Sequence, residues 1–311
     1  MGLLEGAGAK LAVRDGVAQP LAGGNIAFTH CEVINLHVDR FSVGILPLAE
    51  IEVDLTSMTS NRRPFARHNL SRPLIMGVIN VTPDSFSDGG DYAKLSDAIT
   101  HVFNLVEAGA DIIDIGGEST RPGALTVPIS EEIRRIEPVI NGISARSKIP
   151  ISVDTRKADV ASAARKAGAS MVNDVSGFTF DSDLLPLCSK YKLPVCVMHM
   201  KGSPENMQNN PKYENILIEV FDFLENQIGR LVQAGISRDQ IIADVGIGFG
   251  KNIGHNLALI KNISLFHGLG VPLLLGVSRK SIISNVAKVE KPSDRVHGSI
   301  SLAISALGQG V

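Results

Sequence analysis

Tryptophan is absent, aromatic residues make up 5% of the chain, and only three cysteines occur among its 311 residues. Cys31, Cys188 and Cys196 are far apart and form no CxxC or Cys/His cluster. This argues against a disulfide framework or a zinc site and for a reducing cytosol. No apolar run approaches the ~18 residues of a membrane helix. The opening MGLLEGAGAK lacks the basic-then-apolar order of a secretory signal, and no Ser or Thr stands at position 6 for myristoylation. Neither sign of charge dominates: the formal net charge is −2, which offers no field to nucleic acid or a membrane surface. No GxGxxG follows a first strand, so a nucleotide-binding sheet loses its main support. A hydrophobic content of 44% with 20% charged residues leaves a soluble, cytoplasmic protein with a sizeable core.

What is present is a repeated grammar. Apolar, β-branched runs of strand length recur, and nearly every one ends on a single hydrogen-bonding residue. Asn80 closes LIMGVIN, Asp114 closes ADIID, Asp154 closes IPISVD, and Asn173 with Asp174 closes ASMVND. His199 follows LPVCVM, Asp244 follows QIIAD, and Ser278 follows VPLLLGV. Strands are expected near 74–79, 111–115, 150–154, 170–173, 194–199, 240–244 and 272–277. Helical periodicity separates them, for instance through Leu95, Ile99, Val102, Phe103 and Val106, with Gly109 as the stop. Strand–helix alternation predicts right-handed crossovers and a parallel sheet. Polar residues at every strand mouth, not at one crevice, favour a closed (β/α)8-type TIM barrel over a doubly wound sheet. Residues 1–70 read as an N-terminal extension with one or two strands and a polar connector, covering the barrel bottom; 71–311 is the barrel.

Two stretches are far more specific than a short motif: GVINVTPDSFSDGG (77–90) and GADIIDIGGESTRPGA (109–124). With SVDT (152–155), VNDVSG (172–177), VCVMHMKGSPENMQ (195–208), GIGFGKN (246–252) and GVSRKS (276–281), they resemble the dihydropteroate synthase family from about residue 71 onward. The resemblance implies a (β/α)8 barrel that joins 6-hydroxymethyl-7,8-dihydropterin pyrophosphate to p-aminobenzoate, releasing pyrophosphate. It also implies a sulfonamide target and a homodimer formed through late helices.

A pterin presents an N–H and an NH₂ side by side, which a carboxylate accepts in fork geometry. Asp154 and Asp244 are the candidates, with Asp244 the bidentate partner by resemblance. Asn173 can donate to and accept from the same ring, and Lys280 offers it a cation. A lone buried Asp is usually a satisfied structural acceptor; convergence of several polar groups on one barrel mouth reverses that. Met198 and Phe249 are the expected apolar walls. By resemblance, Thr120, Arg121 and Pro122 form a mobile wing holding p-aminobenzoate, with Ser278 in the same subsite and the loop after Asn80 closing over the substrates. Asn80 resembles the family's ligand to a Mg²⁺ that also grips the pyrophosphate; magnesium takes one or two protein oxygens and the rest from phosphate and water. Asn80 and Lys280 are thus the expected catalytic residues. His199 reads as a loop-ordering residue, not a base.

Two departures from the family pattern stand out. An eighth strand with an Arg-x-His pair for the pyrophosphate is due after Gly308, and the sequence ends at Val311. Arg295-Val296-His297 carries the same letters but has helical spacing, and on a helix i and i+2 lie roughly 200° apart. The expectation is seven βα units without the eighth strand, with two charge-assisted bonds of about 1.5–3 kcal/mol each missing at the leaving group. That would leave an impaired enzyme or a pterin-binding protein without turnover. A methyltetrahydrofolate-type methyltransferase is less favoured, since it has no p-aminobenzoate to hold. The second departure is Asp244-Val245-Gly246 where the family has Asp-Pro-Gly, a change expected to loosen the turn by less than ~1 kcal/mol.

Overall fold

The computed structural model describes residues 2–37, 40–81 and 91–311. The chain gathers into two compact units: Met1–Arg62 with Ile260–Leu273 and Val277–Val311, and Arg63–Leu259 with Leu274–Gly276. In the first unit, β1 (Leu3–Glu5), α1 (Gly6–Arg14), β2 (Gln19–Pro20) and β3 (Ile26–Phe28) form a small antiparallel sheet of order β1-β3-β2 backed by one helix. Its core is Ala9, Ala18 and Ala27 packed with Leu4 and Ala12. A hairpin follows, β4 (His30–His37) and β5 (Arg40–Pro47), then the single turn α2 (Thr56–Thr59). The segment is richer in structure than the one or two strands read from its sequence. Helix α1 is obscured in GAGAKLAVR by two glycines, each weakening a helix by roughly 1 kcal/mol relative to alanine.

The second unit carries the alternation: β6 (Met76–Asn80), α3 (Asp91–Glu107), β7 (Ile112–Gly116), α4 (Ile129–Ser144), β8 (Ile151–Asp154), α5 (Ala158–Ala167), β9 (Met171–Asp174), α6 (Leu184–Tyr191), β10 (Val195–Met198), α7 (Ile216–Gln233), β11 (Ile241–Asp244), α8 (Ile253–Lys261) and β12 (Leu273–Leu274). Seven strands form one sheet in the order β12-β11-β10-β9-β8-β7-β6. Each is the spatial neighbour of the one before it, and the pairings from β6 through β11 are all parallel. This is the winding of a TIM-type barrel, as expected, with β6 and β12 at the two edges among the described residues. The seventh strand is much shorter than its apolar run. It lies at an edge, where a strand has a partner on one side only.

Helices α9 (Ser281–Ala287) and α10 (Val296–Leu307) belong to the first unit, with a 3-10 turn, Pro292–Arg295, between them. Arg295 ends that turn and His297 lies inside α10, so the Arg-Val-His letters are helical as the spacing predicts. Arg295 donates to the carbonyls of Arg279 (3.0 Å), Val289 (3.3 Å) and Glu290, tying the turn to both ends of α9.

One face of the sheet packs under helices. Ile113, Ile115, Val153, Val172 and Val195 are buried with Ile136, Ile140 and Ile143 of α4, Val160 and Ala164 of α5, and Val220, Leu224, Ile228 and Leu231 of α7. Each fully buried Leu or Ile contributes about 1.5–3 kcal/mol. The opposite face begins at an apolar floor where Ile112, Met171, Cys196 and Ile242 close around Phe65, with Met76 and Leu274 against them.

Candidate active site

Side chains on a strand alternate faces, so residues two places beyond the floor point the same way. Two beyond Ile112, Met171, Cys196 and Ile242 stand Asp114, Asn173, Met198 and Asp244. Two beyond Asp114 is Gly116, whose register partner on β8 is Asp154, and Asp154 in turn pairs with Asn173. Asn80 pairs with Gly116 from the other side, and Met198 with Asp244. Five of the expected site residues therefore share one face, at one end of one sheet, above an apolar floor.

Parity also removes two strand-end residues from the site. Asp174 falls on the other face, where it accepts from Ser176 N (2.7 Å), Ser176 Oγ (2.6 Å) and Phe178 N (2.7 Å); it builds the turn after β9. His199 also falls on that face. Its Nδ1 accepts from Lys251 Nζ at 2.8 Å, and its ring lies edge-on to Phe223. Burial, with the Lys251 charge behind it, lowers this imidazole to about 2, so it stays neutral and accepts. That is a loop-ordering role.

The carboxylates crowd together, with Asp114 and Asp244 buried and Asp154 partly so. Asp114 Oδ2 accepts from Asn173 Nδ2 at 3.0 Å, so Asn173 has its oxygen left to offer a ligand as an acceptor. Asp154 Oδ1 is buried without a hydrogen-bond partner among the described residues. Burial first, and then the Asp114 charge, pushes the Asp154 carboxyl well above the carboxylate range. Buried carboxylates are normally satisfied, and Asp154 Oδ1 shares its unpartnered state with Asp114 Oδ1 and Ser152 Oγ among the described residues. Gly116 leaves room beside Asp154: a Cβ there would lie 3.5 Å from Asp154 Oδ2 and 3.8 Å from Asn80 Oδ1.

The same crowding sets a stability cost that depends on pH. Burial raises Asp114 to about 6 from an ordinary 3.8, against the bond from Asn173 and the nearby Ser152 hydroxyl, which lower it. The folded chain keeps a proton that the unfolded chain has released, so stability falls as pH rises from about 4 to about 6. The cost above that window is on the order of 3 kcal/mol. Asp114→Asn retains an acceptor for Asn173 and removes the charge. It is expected to raise unfolding free energy in urea at pH 7.5 by about twice what it does at pH 5. An equal gain at both pH values would show that Asp114 titrates normally.

The loop after β11 is held from several sides. Gly246 N donates to Asp244 Oδ1 (2.8 Å), and Gly248 N to Asn256 Oδ1 (2.7 Å). The carbonyls of Gly248, Phe249 and Gly250 accept from Gln208 Nε2, Lys251 Nζ and Tyr213 Oη at 2.6, 3.0 and 2.8 Å. Phe249 sits half-buried on this loop. Val245, at the family's proline position, is buried.

Thr120, Arg121 and Pro122 lie between β7 and α4, with Arg121 and Pro122 exposed. Gly123 N donates to Pro204 O (2.9 Å), joining this wing to the segment after β10. Ser278 and Lys280 belong to the first unit, in the turn that leads into α9, where Lys280 N donates to Val277 O at 3.3 Å. The loop 82–90, expected to close over the substrates, lies outside the described residues.

Sequence reading missed a buried ionic cluster beside the wing. Glu118, Glu132, Arg156 and Lys157 are joined there with Thr155. Their positions carried a signal: Gly116 pairs with Asp154, so Glu118 comes abreast of Arg156 two residues beyond the strand ends.

Comparison with known proteins agrees with this geometry. The profile of the pterin binding enzyme family matches residues 76–311. The dihydropteroate synthase of Escherichia coli K12 is 46% identical over 242 residues, 78% of this chain and 85% of that protein. A crystal structure of the Yersinia pestis dihydropteroate synthase with a sulfonamide drug superposes with a TM-score of 0.73 at 44% identity, covering 78% of this chain and 87% of that one. The Xanthomonas albilineans enzyme in complex with 7,8-dihydropteroate superposes at 0.71 with 40% identity, covering 78% and 87%. By sequence and by fold, this chain belongs to the dihydropteroate synthases, transferases of the pterin-binding enzyme family.

Proposed function

We propose that the polar end of the sheet binds 6-hydroxymethyl-7,8-dihydropterin pyrophosphate and condenses it with p-aminobenzoate, giving 7,8-dihydropteroate and pyrophosphate. The observation that carries the reading is the single face shared by Asp114, Asp154, Asn173 and Asp244, with Asp154 Oδ1 buried and unpartnered among the described residues. In this reading Asp244 and Asp154 accept from the pterin's N–H and NH₂ groups and Asn173 accepts alongside them. Met198 and Phe249 wall the ring, and Lys280 supplies a cation to its acceptor edge. Thr120, Arg121, Pro122 and Ser278 belong to the p-aminobenzoate subsite, with the Arg121 guanidinium as the group that meets its carboxylate.

The C–O bond to pyrophosphate breaks, its electron pair leaving with the pyrophosphate. The amine nitrogen forms the new C–N bond and releases its proton to solvent. An aniline nitrogen needs no strong base. The site's contribution is therefore positioning and electrostatics.

Mg²⁺ fits the residues present. Asn80 Oδ1 is a hard neutral oxygen, Gly116 puts no side chain between it and the Asp154 carboxylate, and this ion borrows its remaining ligands from phosphate and water. Asn80 would hold it, and the ion would neutralise charge on the leaving pyrophosphate. We place the protein in the cytoplasm; no helix among the described residues is long and apolar enough to cross a membrane. A homodimer through the late helices is supported by the exposed Val296, Ile300 and Ile304, which form one stripe of α10. Residues 1–70 stay outside the chemistry, with Phe65 lying in the apolar floor.

The test is product formation from the two substrates by the purified chain, with p-aminobenzoate and pterin concentrations varied separately. Arg121→Ala is expected to raise KM for p-aminobenzoate about 10-fold, as loss of a charged hydrogen bond to its carboxylate does. Release of pyrophosphate without dihydropteroate would refute the condensation.

A further inference from the structure

The eight wing residues from Ser119 to Thr126 have little to fix them internally. Their backbone N–H groups donate from Ala124 to Arg121 O (3.0 Å), from Gly123 to Pro204 O (2.9 Å) and from Arg121 to Ser119 Oγ (3.5 Å). Leu125 is 78% exposed. The wing's two ends are another matter. Glu118, at its start, accepts from Val127 N, at its finish, at 2.9 Å through Oε2. Lys157 Nζ then closes the ring, donating to Glu118 Oε2, to Val127 O (2.6 Å) and to Glu132 Oε2 (2.7 Å). These three bonds use all three ammonium protons. Arg156 donates to Glu118 Oε1 and lies 4.2 Å from the centre of the Phe180 ring.

The cluster is charge-balanced, with two carboxylates and two cations whose side chains are 1–6% exposed. Burial works to raise the Glu118 carboxyl, and the bonds from Lys157, Val127 and Arg156 hold it below the usual range. Buried ion pairs are a poor source of net stability, because desolvation offsets the attraction. Their better-attested effect is to specify one arrangement, and here the arrangement specified is the closure of a loop.

We propose that Glu118 and Lys157 form a latch that fixes both ends of the 119–126 wing, making them positioning residues for the p-aminobenzoate subsite. The inference rests on the reading that Thr120, Arg121 and Pro122 belong to that subsite. Neither latch residue touches the substrate. With both ends pinned, the wing has fewer conformations to lose when it meets its ligand, so part of the ordering cost is met at folding and not at binding. Unlatching therefore raises the apparent KM for p-aminobenzoate and leaves the pterin site as it was.

The test measures Lys157→Met by kinetics and by hydrogen–deuterium exchange over residues 118–127. Glu132→Gln serves as the comparison, since Glu132 is in the cluster but bonds no wing residue. The expected result for Lys157→Met is faster exchange across the wing and a KM for p-aminobenzoate raised about 10-fold, with KM for the pterin substrate within about twofold. Glu132→Gln is expected to lower thermal stability with both KM values within about twofold. If Lys157→Met fails to fold, the neutral pair Glu118→Gln/Lys157→Met removes both charges together and is read the same way.

Unchanged exchange in the wing overturns the latch, and so does an equal rise in both KM values. Faster exchange with an unchanged p-aminobenzoate KM upholds the latch and overturns the assignment of the wing to the amine subsite. Arg121→Ala checks that assignment separately.

Discussion

Replacing Asp244 by asparagine is expected to lower kcat/KM for the pterin substrate by roughly 10²–10³-fold, with KM carrying most of the change and little loss of thermal stability. The size follows from the fork. A carboxylate accepts two donors side by side, each charge-assisted bond contributing about 1.5–3 kcal/mol. An amide offers one acceptor and one donor. Which of them faces the ligand is set by the neighbour: Gly246 N donates to Asp244 Oδ1 at 2.8 Å. An asparagine keeping that bond commits its oxygen to the loop and turns its NH₂ toward the pterin's own donors, so one bond is lost and one contact becomes donor against donor. Steady-state kinetics with pterin varied at saturating p-aminobenzoate, together with a melting curve, checks this. Activity within fivefold of the parent would remove Asp244 from the pterin edge.

The strand series, its parallel winding and the polar end of the sheet were legible because each rests on local chemistry: β-branched runs, glycine stops, one polar residue at each mouth. The strand-end pattern by itself ranks Asp174 and His199 with Asp154 and Asp244; it is the resemblance to the family that leaves the first two out of the site. Period-2 parity separates them, but only once the floor is known, because the zero of the count is the ring of Ile112, Met171, Cys196 and Ile242 around Phe65. Phe65 comes from the segment read as a polar connector, so no strand's own sequence supplies that zero. The cluster of Glu118 with Lys157 was hidden for a related reason. Charged residues in GGES and DTRK read as solvated loop until the register brings them abreast and burial forces them to pair.

Alanine at Gly246 is expected to be the most damaging small substitution in the second unit, through the backbone. The residue has φ +70°, and a Cβ there would lie 2.0 Å from His199 O. Real contacts between such atoms stay beyond about 3 Å, so the strand-end backbone at His199 or the loop itself must move by roughly 1 Å. The left-handed conformation adds about 1–2 kcal/mol of its own for a residue with a side chain. A total above ~3 kcal/mol places the change among the few mechanisms that give large losses. Neither element can yield freely. His199 N donates to Asp244 O (3.0 Å), its carbonyl accepts from Lys251 Nζ (3.2 Å), and Gly246 N orients the Asp244 carboxylate. Relief of the clash therefore disturbs the pterin acceptor, and activity is expected to fall along with stability. Gly229→Ala is the contrast, because a Cβ on this residue of α7 meets nothing within 4 Å. Helix propensity then predicts a gain of up to about 1 kcal/mol. Thermal melts of the two variants should move in opposite directions, Gly246→Ala down by roughly 5–10 °C and Gly229→Ala slightly up. A Gly246→Ala protein that melts with the parent and keeps its pterin KM would show that the loop has slack, and that Asp244 is not held by the turn that follows it.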